Sequence, residues 1–280
     1  RSFIREQEAC VASGAIYDFL RTRGPASRGF GPELAVVLGT GWGNALVFDR
    51  IIAEIPLATL PGFGGLVGIE GHDRALVCGT IQGKDVLALR GRIHIYEKPC
   101  SEEHLKMVRL QIEMLLKFGA RKIILTNAVG GLWKSLLPGD VLVDDGLITL
   151  FAPEMPLWGA EYCSPEDMLT PDLVEVGKRA ASDAGFVSAH MRMSDKDSVF
   201  STGPYAMVRG PFFEGRKYDK RILASLGAAS VGMSILPETC IAALYEVPVL
   251  AFSFVSNDDK EVHSHEENIR RALQKKEMLG

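Results

Sequence analysis

Arg92 and His94 stand two residues apart in the run Arg90-Gly91-Arg92-Ile93-His94-Ile95-Tyr96-Glu97. In extended chain, side chains at that spacing point to one face. Arginine offers fixed donors and histidine tunable ones, so the pair suits an oxyanion. A histidine of this kind also serves as a hydrogen-bonded structural residue. A second group is Gly210-Pro211-Phe212-Phe213-Glu214. Its rings could cover a planar heterocycle while the carboxylate accepts N–H groups, and the amide of Asn257 could read a carbonyl or ring nitrogen. The competing reading makes Phe212 and Phe213 core and Glu214 surface. A third group, Gly39-Thr40-Gly41-Trp42-Gly43, follows an apolar stretch, where backbone N–H groups can approach an anion. Its G-x-G-x-G spacing misses the dinucleotide fingerprint and the Walker lysine pattern. An ordinary tight turn remains open there.

Strands must carry these groups to one place. Apolar runs predict strands over 33–38, 51–57, 75–81, 84–90, 122–126, 140–150, 229–231 and 247–255, with Val199-Phe200 suggesting another. Helical spacing marks 3–23, 102–118, 171–185, 214–226 and 237–245, and a last helix opens at His263 with Ser264 as its N-cap. Gly119 is the expected cap of the second helix. Pairing of 75–81 with 84–90 brings His72 towards Arg92 and His94. Asn127-Ala128-Val129-Gly130-Gly131 reads as a second strand-to-glycine turn, and open α/β sheets bind ligands just past the carboxyl ends of their strands. Residues 151–170 read as an irregular loop of functional length. Strands alternating with helices predict an α/β fold, a single domain over 1–280 with a central mixed twisted β-sheet flanked by helices.

Composition excludes several classes. The chain has 280 residues, 31 basic and 35 acidic, for a net charge of −4, and no long basic run, which argues against a nucleic-acid partner. The apolar runs fall short of a membrane span, so no membrane partner is expected. Cys10, Cys78, Cys100, Cys163 and Cys240 are odd in number and dispersed, which favours a reducing, cytoplasmic setting over a disulfide framework or zinc site.

Taken together, seven ordered motifs resemble the trimeric purine nucleoside phosphorylase family that acts on 6-oxopurine nucleosides. They are Leu-Gly-Thr-Gly-Trp-Gly (38–43), Gly-His-Asp-Arg (71–74), the run 90–97, Thr-Asn-Ala-Val-Gly-Gly-Leu (126–132), Tyr-Ala-Met-Val-Arg-Gly-Pro-Phe-Phe-Glu (205–214), Val-Gly-Met-Ser (231–234) and Ser-Asn (256–257). The resemblance implies reversible phosphorolysis of purine (deoxy)ribonucleosides such as inosine and guanosine, a purine-salvage reaction giving free base and (deoxy)ribose 1-phosphate. It implies no cofactor and no metal, with inorganic phosphate as co-substrate. It also implies a homotrimer with active sites near the subunit interfaces.

By that resemblance, phosphate would sit on Thr40, His72, Arg92, His94, Ala128 and Ser234. The sugar would meet Tyr96, Tyr205, Met233 and His265, and the base Phe213, Glu214, Met233 and Asn257. His94, Glu214 and Asn257 would carry the chemistry, and Glu97 would orient the phosphate-side residues. The related methylthioadenosine phosphorylases normally carry aspartate where this chain has Asn257. The family's lysine after that asparagine is replaced by Asp258. The segment 257–265 is shorter than usual, so His263 is an alternative to His265. A neighbouring subunit would lend Tyr162 or Phe151.

The residue types agree with that chemistry. Cleavage through an oxocarbenium-like state builds positive charge on the sugar, which a phosphate beneath it stabilises and then attacks. Asn257 can donate to N7 of the departing purine. Glu214, accepting from N1–H, suits hypoxanthine and guanine but not adenine. Two other readings are an oxidoreductase built on Gly39-x-Gly41 and a nucleoside-binding homologue without turnover.

Overall fold

The computed structural model describes residues 6–22, 29–43, 45–66, 74–195, 197–210, 212 and 214–258. Its strands are β1 (Leu34–Leu38), β2 (Arg50–Pro56), β3 (Ala75–Ile81), β4 (Lys84–Arg90), β5 (Lys122–Gly131), β6 (Val141–Ile148), β7 (Val187–Ser188), β8 (Val199–Met207), β9 (Ser230–Gly232) and β10 (Val249–Asn257). The helices are α1 (Glu6–Arg21), α2 (Glu102–Phe118), α3 (Pro171–Asp183), α4 (Asp219–Ser225) and α5 (Leu236–Leu244).

The strands join one mixed sheet. β1 pairs in parallel with β4 on one side and β5 on the other, and β3 and β2 extend the sheet beyond β4 as an antiparallel meander. On the far side the sheet curls into a hoop. β5 pairs with β10, β10 with β6, β6 with β8, β8 with β9, and β9 back with β5. The run 122–126 therefore does not end in a turn at Asn127. β5 runs on through Gly131 because its second half is hydrogen-bonded by both β10 and β9.

The apolar spacing of α1 and α2 sets them together against the sheet. Ser101 caps α2 by accepting from His104 N–H at 3.2 Å, and Gly119 N–H closes it onto Leu115 O and Leu116 O. Tyr17 stacks on Phe118 at 4.3 Å between ring centres. The main core joins these helices and α5 to one face of β1, β4 and β5, while α3 covers Val143 and Leu250 on another. Arg109 of α2, wholly buried, donates to Glu113, Glu161, Pro156 O and Tyr245, and so ties the 151–170 loop to α2.

The helix expected over 214–226 is shorter. Gly215 N–H donates to Asp219 Oδ2 at 2.7 Å, and helix begins only at Asp219. Glu214 thus stands ahead of α4 in irregular chain, free of helical geometry. The helix expected from His263 lies outside the described residues.

Candidate active site

The carboxyl ends of β1, β4, β5 and β10 meet the chain leaving β9 around a cavity of about 300 Å³. Thr40, Arg92, His94, Tyr96, Ala128, Glu214, Met233, Ser234 and Asn257 all line it.

One wall is built for an anion. A Cβ on Gly39 would lie 2.4 Å from the Thr126 carbonyl oxygen, so only glycine lets the chain leaving β1 cross β5 there. Gly39 N–H donates to Thr126 Oγ1 at 3.0 Å, and the Trp42 indole N–H to Asn127 O at 2.9 Å. Those bonds pin Thr40 at the cavity. Arg92 is 1% exposed, so its guanidinium is dry. Its Nη2 donates to Thr126 O. Its Nε lies 3.4 Å from Glu238 Oε1, close enough for an ion pair but not aligned as a hydrogen bond, and Nη1 has no hydrogen-bond partner among the described residues. Buried donors of that charge need an acceptor, and an oxyanion in the cavity is one.

The backbone between Arg92 and His94 is clamped from α2. Gln111 Oε1 accepts from Ile93 N–H at 2.9 Å, and Gln111 Nε2 donates to Ile93 O at 3.2 Å. His104 Nε2 meets His94 O at 2.7 Å. Glu97 Oε1 takes Arg74 Nη2 at 2.6 Å and His94 N–H at 2.8 Å, and stands 3.1 Å from His94 Nδ1. Burial pushes the Glu97 carboxyl up, but the His94 hydrogen bonds and the Arg74 charge outweigh it and hold the group below its ordinary value. A charged Glu97 on Nδ1 fixes the imidazole with Nε2 towards the cavity. Tyr96 stacks on His94 at 4.8 Å. Burial, then the Glu97 charge, pushes its phenol up to about 12, so it stays a neutral hydroxyl.

Ser234 closes this wall from β9. Its N–H donates to Tyr205 Oη at 2.9 Å, and its carbonyl accepts from Leu236 N–H at 2.8 Å across Ile235. Ile235 has φ 70° and ψ −52°, the rare γ-turn of positive φ, strained for a β-branched residue. The turn reverses the chain so that Ser234 faces the cavity while α5 starts behind it and presents Glu238 to Arg92.

Gly130 is the hinge between the other two walls. It pairs with Asn257 of β10 on one side and Val231 of β9 on the other. A Cβ there would lie 2.9 Å from both Asn257 Oδ1 and Glu214 Oε1, so these polar atoms converge over a bare backbone. The β10 register slips between Val255 and Asn257, a bulge that turns both Ser256 and Asn257 to the cavity. Asn257 Nδ2 donates to Ser256 Oγ at 3.1 Å. Burial pushes the Glu214 carboxyl up and the Asp219 charge adds to it, while its own backbone N–H and the Lys220 charge pull down.

Tyr205 corrects one expectation. It was assigned to the sugar, but it is wholly buried and its hydroxyl is spent on Ser234 N–H. It supports the Ser234 turn from behind. Glu97 stands behind His94, accepting from its backbone N–H and 3.1 Å from its Nδ1. His72, Phe213, His263 and His265 lie outside the described residues. Tyr162 and Phe151 are both exposed, Phe151 in a shallow groove beside Glu214 and Phe212. Asp258 meets the site through its backbone, whose carbonyl accepts from Lys220. Sequence reading missed Lys220, Gln111 and Glu238. None carries a local signal, because each acts through a partner distant in sequence.

The model of the Phosphorylase superfamily matches residues 33–279. Purine nucleoside phosphorylase of Mycobacterium tuberculosis is 34% identical over 227 residues, 80% of this chain and 76% of that protein. Purine nucleoside phosphorylase 1 of Geobacillus stearothermophilus is 28% identical over 247 residues, 85% of this chain and 81% of that one. The crystal structure of Schistosoma mansoni purine nucleoside phosphorylase in complex with adenosine superposes with a TM-score of 0.77 at 25% identity, covering 97% of this chain and 92% of that one. With a family match across most of its length and relatives above 30% identity, the chain belongs to the phosphorylase superfamily, among the purine nucleoside phosphorylases.

Proposed function

We propose that the cavity performs phosphorolysis of 6-oxopurine nucleosides, with inorganic phosphate as co-substrate and no cofactor or metal. The observation that carries this is Arg92, a dry guanidinium on the cavity wall with unpartnered donors, flanked by Thr40, His94 and Ser234. Phosphate sits on those side chains and the backbone of Ala128. The sugar lies over Tyr96 and Met233, and the base reaches Glu214 and Asn257 across Gly130.

The chemistry follows from that order. Phosphate held below the sugar attacks C1′ as the bond to the purine breaks, and its charge stabilises the cation forming on the ring. The purine leaves with electron density on N7, where Asn257 Nδ2 can donate. Glu214 accepts from N1–H of a 6-oxopurine. Adenine has no hydrogen at N1 and leaves that carboxylate unmatched. The Schistosoma mansoni relative was crystallised with adenosine, so a test of base choice must include adenosine. A cytoplasmic homotrimer belongs to the same reading. The dispersed cysteines support the compartment, and exposed Tyr162 and Phe151 support an aromatic offered to a neighbouring subunit.

Inosine with phosphate, coupled to xanthine oxidase, should give uric acid. Without phosphate the signal should vanish. No uric acid, or the same rate without phosphate, would refute the reading.

A further inference from the structure

Lys220 is 3% exposed, near the start of α4. Buried lysines are rare unless paired. This one donates to Asn257 Oδ1 at 3.1 Å and to Asp258 O at 2.8 Å, and its Nζ lies 3.9 Å from Glu214 Oε1. It therefore touches both groups that face the base, from behind the cavity wall.

An ammonium has three donors and no acceptor. The amide atom facing it must be oxygen, because the reversed amide would set N–H against N–H. The nitrogen is thereby sent the other way, where Ser256 Oγ takes one of its two hydrogens at 3.1 Å. We propose that Lys220 fixes the orientation of the Asn257 amide and so makes the base site selective for 6-oxopurines. It is a positioning residue, acting through Asn257 and not on the substrate. The inference rests on the purine reading of the cavity given above.

The consequence for the base is a fixed donor and acceptor pattern. Over Gly130 the Asn257 oxygen, held by Lys220, lies beside Glu214 Oε1, which leaves Nδ2 as the donor Asn257 offers and the Glu214 carboxylate as the acceptor. A 6-oxopurine answers with an acceptor at O6 and N7 and a donor at N1. A 6-aminopurine carries the reverse at positions 6 and 1. An Asn257 amide free to turn could offer its oxygen to the 6-amino group and lose the distinction. Lys220 forbids that turn. Its charge beside Glu214 also opposes the upward push of burial on that carboxyl.

The test compares wild type with Lys220→Met, of similar length but without donors, and Lys220→Arg, which keeps charge and donors. Two quantities are read. One is the ratio of kcat/KM for inosine over adenosine with phosphate. The other is the ratio of Kd for adenine over hypoxanthine by calorimetry, which needs no turnover. Wild type should favour the 6-oxo partner in both. Lys220→Met should lower both ratios by about tenfold or more, the usual weight of one mismatched buried polar group. Lys220→Arg should keep them within about threefold of wild type. Equal ratios in wild type and Lys220→Met, or a loss in Lys220→Met that falls equally on both bases, overturn the proposal alone. So does a wild type that takes both bases alike. Wild type that binds neither base overturns the purine reading, and the proposal with it. If Lys220→Met does not fold, Lys220→Gln takes its place. A glutamine can turn its own amide to suit either face of Asn257, so it should lower the ratios too, and retained ratios would overturn the proposal.

Discussion

A serine with one hydrogen between two acceptors sets up a test of a proton that diffraction would not show. Ser253 Oγ lies 2.7 Å from Asn127 Oδ1 and 2.7 Å from Asp144 Oδ2, all three buried. The hydroxyl can donate to one of them only. The chain of bonds closes if Asp144 is protonated and donates to Ser253, which donates to Asn127. Burial pushes the Asp144 carboxyl well above its ordinary value, and the Asp145 charge adds to this, with only the Ser253 hydroxyl opposing. The sign follows from proton counting. Above the unfolded carboxyl's range and below the raised folded value, the native chain holds a proton that the unfolded chain has lost. Stability then falls as pH rises, by up to about 1.4 kcal/mol per pH unit for one proton. Asp144→Asn keeps the size and supplies a donor to Ser253 without that proton. It should match wild type near pH 4 and become progressively more stable than wild type as pH rises. Urea unfolding followed by tryptophan fluorescence at pH 4, 5, 6 and 7 reads the difference. Parallel curves for the two proteins would refute the reasoning. They would mean that the Asn127 amide is turned, with its nitrogen donating to Ser253 and Asp144 ionised.

Two further substitutions probe the site. Gly130→Ala places a methyl 2.9 Å from Asn257 Oδ1 and Glu214 Oε1; inosine kcat/KM should fall by on the order of a hundredfold with a small change in Tm, since the two side chains can give way where a backbone could not. Glu97→Gln should raise the phosphate KM by loosening His94. Because the folded Glu97 carboxyl is held low, its stabilisation is present above the unfolded value and lost as pH falls through the folded one. The variant should therefore lose less stability than wild type on acidification, as unfolding curves between pH 6 and 3 would show.

Much of the site was legible because its chemistry is written in short runs. Arg92 and His94 could be paired from their spacing, and Gly39 from the strand before it. Both arguments need only local geometry. Asn257 gained meaning only beside the other motifs, and its aim depends on the bulge at Ser256, a mismatch with β5 that no single strand reveals. Tyr205 was misplaced because only the resemblance gave it to the sugar, whereas strand pairing with Ser230 sends it inward. Lys220 was invisible for a related reason. The pattern 214–226 reads as one helix with its lysines outside, and the true helix start at Asp219 turns this one in. The strands themselves were located well, but their closure was not, since β10 meeting β6 is a choice among partners far apart in sequence.

That closure bears on how the enzyme turns over. An open sheet can splay at one seam, but a hoop of five strands cannot widen unless two ladders part together. Asn127, Ala128, Gly130, Met233 and Asn257 are all on the hoop or directly leave it. The groups that line the cavity are therefore held at one spacing, like the jaws of a fixed gauge. Any breathing that admits a nucleoside or releases a base has to occur in chain outside the hoop. Turnover and chemistry are thus assigned to different parts of the sequence, and selection can adjust the rate of release there without disturbing the spacing that breaks the bond.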